Sequence, residues 1–143
     1  MAEPKSYSVS RIKTTDKKSG KYNGIMMPLW KDYDPVAPIS PRYVYYTTCL
    51  AGENKGPYLH TKRRTLLNLV EGKIILAYQE NDNFKEIIID SENNPLLFDI
   101  PAGIGYFIRN IYQTEAKMVN ICDYPWREGD NETETPDFSA YFL

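Results

Sequence analysis

From Arg42 to Trp126 the chain is a succession of short apolar or aromatic runs, each stopped by turn-forming residues. No window of ten or more residues carries a convincing helical period. RYVYYTTCL is followed by the turn AGENKG. Then come YLHTKRRTLLNLVEG, KIILAYQE, the turn NDN, FKEIIID, the turn SENN, PLLFDI, PAG, IGYFIRNIYQ and KMVNICDYPW. Such runs, rich in β-branched and aromatic residues and bounded by Gly, Asn, Asp or Pro, predict strands of about five to nine residues. A regular series of them predicts an all-β antiparallel sandwich or barrel. The glycine of VEGKI, Gly72, predicts a tight hairpin between the two runs it separates.

The flanks differ in character. TTDKKSGKYNG, from Thr14 to Gly24, predicts a turn between short strands. DYDPVAPISP, Asp32 to Pro41, carries three prolines, which stop helices and confine strands to edges. The tail REGDNETETPD is acidic and then ends in FSAYFL, a short apolar clasp expected to return to the body. The chain is therefore expected to form one domain over residues 1–143. Its parts are N-terminal strands and a proline-rich connection at 1–41, a barrel core at 42–126, and an acidic tail at 127–143.

Composition narrows the function classes. A chain of 143 residues is long enough for one proper core. With 17 basic against 19 acidic residues it has no general attraction for nucleic acid or an anionic membrane, so neither is expected as a partner. No apolar run approaches a membrane span, and MAEPKSYSVS lacks a signal-peptide core. Cys49 and Cys122 are too few for a disulfide framework, so a cytoplasmic setting is expected. The chain has one histidine, which excludes any site needing two histidine ligands, and twelve tyrosines. Most of the tyrosines are expected to pack barrel walls.

The densest chemistry is GPYLHTKRR, Gly56 to Arg64. In a strand, alternation would put Tyr58, His60, Lys62 and Arg64 on one side and Leu59, Thr61 and Arg63 on the other. A neutral imidazole suits general-base work near pH 7, and adjacent cations keep it neutral while stabilising an anion such as a phosphate or an enolate. A lone histidine in a strand is also commonly a packing residue, and a KRR run a solvated face. Against that, a polar inner face directly before LLNLV is costly unless a pocket or ligand satisfies it. Tyr46, Tyr58 and Tyr106 are the tyrosines assigned to a pocket, whereas Trp30 and Trp126 are assigned to the core or to a dimer contact.

Together with PAGIGYFIRN, these residues resemble the cupin superfamily, whose motifs are G-x5-H-x-H-x3–4-E-x6-G and G-x5-P-x-G-x2-H-x3-N. Pro101, Gly103 and Asn110 fit the second motif, with Tyr106 at the position of its histidine. In the first, His60 is present, Lys62 replaces the second histidine, and Thr65 or Leu66 falls near the glutamate. One imidazole does not make a transition-metal site, so no metal and no other cofactor are expected. Within the superfamily the chain is similar to the metal-free dTDP-4-dehydrorhamnose 3,5-epimerase-like enzymes. The likeness is carried by GPYLHTKRR, LVEGKI, IPAGIGYFIRN and NICDYPW, over roughly Arg42 to Trp126.

The resemblance implies a cupin-type jelly roll, a homodimer and a nucleotide-diphosphate sugar as ligand. It implies His60 as the base that removes a proton next to a 4-keto group. It places Lys62 and Arg64 on the enolate or diphosphate, with Tyr58, Tyr106 and Tyr46 around the sugar. The place of the family's proton-donating tyrosine falls at Val119 or Asn120, where Asn120 could hydrogen-bond substrate but not deliver a proton. The carboxylate that pairs with the family's histidine is expected to be missing. The expected function is thus epimerase or ketoisomerase action on a nucleotide-activated 4-keto sugar for polysaccharide precursors. The alternative is a cupin that binds a sugar or nucleotide sugar without turnover.

Overall fold

The computed structural model describes residues 3–31 and 39–142; the proline-rich interruption at 32–38 lies outside them. The described residues form twelve strands and a closing 3-10 turn. The strands are β1 Lys5–Ser8, β2 Ile12–Thr15, β3 Tyr22–Met26, β4 Tyr43–Cys49, β5 Asn54–His60, β6 Thr65–Glu71, β7 Lys73–Glu80, β8 Asn83–Asp90, β9 Leu96–Ile100, β10 Tyr106–Arg109, β11 Ala116–Cys122 and β12 Thr133–Glu134. The turn spans Ser139–Phe142. Two antiparallel sheets, β1-β9-β6-β11-β4 and β12-β5-β10-β7-β8, make a cupin-type β-sandwich, and β2 and β3 pair only with each other. No helix among the described residues is long and apolar enough to cross a membrane.

Both sheets are covered on both sides, which is why several strands are apolar without alternation. Between them lie Leu67, Leu69, Ile74, Leu76, Ile89, Leu96, Phe98 and Ile100, from β6, β7, β8 and β9. Behind the first sheet, Val9, Met27, Leu29 and Ile39 of the N-terminal segment pack on Leu66, Leu97 and Ile121. Behind the second, Phe138 and Tyr141 pack on Ala77, Phe84 and Phe107, so FSAYFL does return to the body.

Gly72 is not a hairpin. β6 and β7 belong to different sheets, so the chain turns a corner of the sandwich there. Gly72 adopts φ +102°, and a Cβ would stand 2.8 Å from the Glu115 carbonyl oxygen. The hairpin signal was a glycine between two strands; whether the second strand pairs or crosses is decided by the opposite sheet. The NDN turn does close a hairpin, pairing Glu80 with Asn83 around Asn81 at φ +56°.

Candidate active site

A register shift fixes the inward face of β5. Tyr58 faces Tyr106 and Lys55 faces Ile108, so Gly56 and Pro57 together oppose Phe107 as a bulge. Lys55, Tyr58 and His60 thereby point into the sandwich. From the facing sheet, β4 and β11 pair Tyr45 with Asn120. These residues, with Thr47, Tyr106 and Ile108, line a cavity of about 180 Å³. Lys55 spans the two walls, its Nζ donating to Thr47 Oγ1 at 2.5 Å.

His60 is 7% exposed and bonded on both ring nitrogens. Its Nε2 lies 3.1 Å from the Tyr106 hydroxyl and its Nδ1 3.0 Å from Thr133 Oγ1. Thr133 Oγ1 donates to Glu132 Oε1 at 3.0 Å, and that oxygen is itself 3.5 Å from Nδ1. The network assigns the tautomer: Nδ1 carries the proton and donates to Thr133, while Nε2 accepts from Tyr106. Tyr58 stacks parallel to the imidazole with ring centroids 6.2 Å apart.

Glu132, 2% exposed, is ion-paired with Arg63, 5% exposed. Burial and the Arg63 charge lower the His60 pKa to about 4, outweighing Glu132, which works to raise it. For Glu132, burial acts upward, but Arg63, Thr133 and His60 together hold the carboxyl below its usual range. Burial pushes the Tyr45 phenol up to about 12 and Tyr106 well above its ordinary value. At neutral pH the site therefore holds a neutral imidazole, an ionised carboxylate and protonated phenols.

The expectation that Lys62 and Arg64 share the face of His60 is corrected. Alternation requires an extended strand, and β5 ends at His60, where Thr61 N donates to Glu132 O at 2.7 Å. Lys62 is solvent-facing, 3.2 Å from Asp130, with its Nζ 5.5 Å from the Tyr124 ring centroid. Arg64 turns to Asp99, its Nε donating to Oδ1 at 2.8 Å. The arginine that reaches the histidine network is Arg63, assigned to the opposite face by alternation. Tyr46 is likewise displaced: it is 59% exposed on the outer side of β4, and its neighbour Tyr45 faces the cavity. A one-residue error in phase moves a side chain to the other face.

Tyr58, Tyr106 and Asn120 do line the cavity with His60. Tyr106, at the place of a cupin metal-binding histidine, hydrogen-bonds His60 instead. Asn110, the last residue of that motif, is buried and ties loops, donating to the carbonyls of Cys49 and Thr114. Trp30 and Trp126 are both exposed in the chain, so neither is a core residue. A carboxylate does stand beside His60, in Glu132. Neither Glu132 nor Thr133 carried a sequence signal, because a two-residue strand inside a polar tail has no period. Tyr45 and Thr47 had one, being in phase with Cys49 of YVYYTTC. Among the described residues no three His, Cys, Asp or Glu side chains gather as a metal site.

The family profile described as "FdtA: WxcM-like, C-terminal" matches residues 7–142. No curated protein sequence matches the chain. Among solved structures, the chain is similar to a dTDP sugar isomerase from Desulfovibrio desulfuricans G20. The TM-score is 0.79 at 18% identity, over 97% of this chain and 87% of that one. It is also similar to a mutant of the 3,4-ketoisomerase QdtA from Thermoanaerobacterium thermosaccharolyticum in complex with TDP-4-keto-6-deoxyglucose. That match has a TM-score of 0.72 at 15% identity, over 99% and 92% of the two chains. A third similarity is to the capsular polysaccharide assembling protein CapF from Staphylococcus aureus, with a TM-score of 0.62 at 19% identity over 70% of this chain and 27% of that one.

Proposed function

Because the chain belongs to the FdtA family (WxcM-like, C-terminal), we propose that it is a ketoisomerase or epimerase acting on a nucleotide-activated 4-keto sugar. The observation that carries this is the state of His60: neutral, with its proton fixed on Nδ1 and its basic Nε2 on the side of Tyr106, which lines the cavity. A carbonyl acidifies the neighbouring C–H bond, and Nε2, once it exchanges its hydrogen bond from Tyr106 for the substrate, is the group able to take that proton. The developing imidazolium is stabilised by the ionised Glu132 through Thr133. Lys55, whose side chain lines the cavity, is the group to stabilise the developing enolate oxygen, and such charge stabilisation is usually the largest contribution in reactions of this kind. Asn120, Thr47 and Tyr45 offer hydrogen bonds to sugar hydroxyls, and Tyr58 offers a ring face. The assignment uses only these side chains and no metal.

The similarity to the QdtA complex supports a TDP-linked 4-keto-6-deoxy sugar as the substrate to try first, and the similarity to CapF supports a place in polysaccharide precursor synthesis. A second copy of the chain is the proposed partner, on the ground of exposed apolar residues along β2, β3 and β4.

Incubation with TDP-4-keto-6-deoxyglucose in D2O tests the reaction. Deuterium should enter at the former carbonyl carbon for a ketoisomerase, or at the carbon beside the carbonyl for an epimerase, and His60→Ala should slow this by about 10²–10⁴-fold. Tight binding with no exchange, across several nucleotide 4-keto sugars, would instead identify a sugar-binding protein without turnover.

A further inference from the structure

The segment that braces His60 has almost no structure of its own. β12 meets β5 only at Thr133 opposite His60 and Glu134 opposite Leu59, and so short a pairing is not self-supporting. Glu132 is itself tethered, its carbonyl accepting from Thr61 N and Oγ1 and its carboxylate paired with Arg63, and the rest of the hold lies on either side. Upstream, Asp130 receives Lys62 in a solvent-facing contact of small energy and the Tyr124 hydroxyl in a partly buried one. Downstream the contacts are apolar and extensive. Gly105 leaves room for the strap: a Cβ there would stand 3.0 Å from Pro136 Cγ and 2.2 Å from Gln79 Oε1. Gln79 Nε2 donates to the Asp137 carbonyl at 3.3 Å. Phe138, nearly fully buried, packs at a tilt against Phe84 at 4.9 Å and Phe107 at 6.0 Å between centroids. The Tyr141 hydroxyl accepts from Arg109 at 3.0 Å and donates to Glu86 at 2.5 Å.

We propose that residues 130–142 form a strap whose aromatic clasp, Phe138 with Tyr141, positions Glu132 and Thr133 on His60 and thereby sets the protonation state of the imidazole. Docked, the strap excludes water from His60 and gives Nδ1 its acceptors, Thr133 and Glu132. Undocked, it leaves an imidazole open to solvent. Phe138 and Tyr141 lie on the outer face of the sheet, remote from the cavity, so they act through Glu132 and Thr133 and are positioning residues. The inference goes beyond the proposed function, because it concerns His60 with no substrate present.

The groups facing His60 are Glu132 and Thr133 from β12, Tyr58 on its own strand, Tyr106 from β10, Arg63 from the turn after β5, and Tyr45 and Asn120 across the cavity. Burial lowers its pKa most, Arg63 adds to that, and Glu132 opposes both. Undocking removes the burial together with the weaker opposing carboxylate, so the net change is upward, toward the ordinary imidazole value.

His60 is the only histidine in the chain, so one imidazole signal in the NMR spectrum of the ¹⁵N-labelled protein reports on it without ambiguity. The wild type should stay neutral with Nδ1 protonated down to about pH 5. Phe138→Ala and Tyr141→Ala should raise the apparent pKa by about one unit or more and mix the two tautomers. Circular dichroism establishes which variants keep the sheets, and if Phe138→Ala does not fold, the half-exposed Tyr141→Ala decides alone. A folded variant that titrates like the wild type, or a wild type that titrates as a free imidazole, overturns the proposal. A strap confirmed by NMR in a protein without deuterium exchange would leave the inference standing and refute the isomerase.

Discussion

At the scale of single residues, the site is set by one histidine and by what surrounds it. In the folded protein the His60 pKa is lowered to about 4, whereas an unfolded chain protonates it at the ordinary value near 6.5. Between those values the unfolded state binds more protons, so stability falls as pH falls through the window. The difference is on the order of 3 kcal/mol at its full extent, at about 1.4 kcal/mol per unit. Urea denaturation of the wild type at a series of pH values should show this slope, and His60→Asn should flatten it. An unchanged slope in that variant would place the acid sensitivity on other groups. The place of His60 at the cavity was legible in the sequence because GPYLHTKRR gathers polar groups just before an apolar run. Its partners were not: Arg63 was assigned to the wrong face by unbroken alternation, and Glu132 comes from 72 residues further along the chain.

At the scale of elements, the strands of the barrel core were legible from apolar runs and turn residues, because each run is as long as the sandwich is deep. The connections were less so. Gly72 reads the same whether its flanking strands pair or part, and only the closeness of Glu115 shows a corner. Gly72→Ala combines a left-handed backbone with a 2.8 Å approach to a backbone oxygen that cannot swing away. It should destabilise the fold by about 1–3 kcal/mol, seen as a lower denaturation midpoint with unchanged m-value. The bulge at Gly56 and Pro57 is the other element-scale device. Without it, strict alternation from His60 would turn Lys55 away from the cavity, and the site would lose the ammonium that spans its walls.

At the scale of the whole molecule, half of the large exposed apolar residues among those described gather on two elements. Ile12, Tyr22, Ile25 and Met26 lie on the β2–β3 hairpin, which bonds to no other strand, and Val44 and Tyr46 lie on β4, an edge of its sheet. An isolated hairpin is marginal in water, and an open edge invites pairing. Sedimentation equilibrium should therefore give twice the 16.6 kDa of the chain, and Met26→Lys or Tyr46→Glu should shift the protein toward monomer. A wild-type monomer at tens of micromolar would exclude the second copy as the occupant of these surfaces.

The sandwich is also divided in its labour. β6, β7, β8 and β9 supply most of the main apolar cluster, while β4, β5, β10 and β11 supply the cavity walls, so most residues that anchor the fold do not line the cavity. For an engineer this is an invitation. Tyr45, Thr47 and Asn120 can be randomised together to search for altered sugar selectivity while the packed half keeps the library folded, with the network around His60 left as the constant.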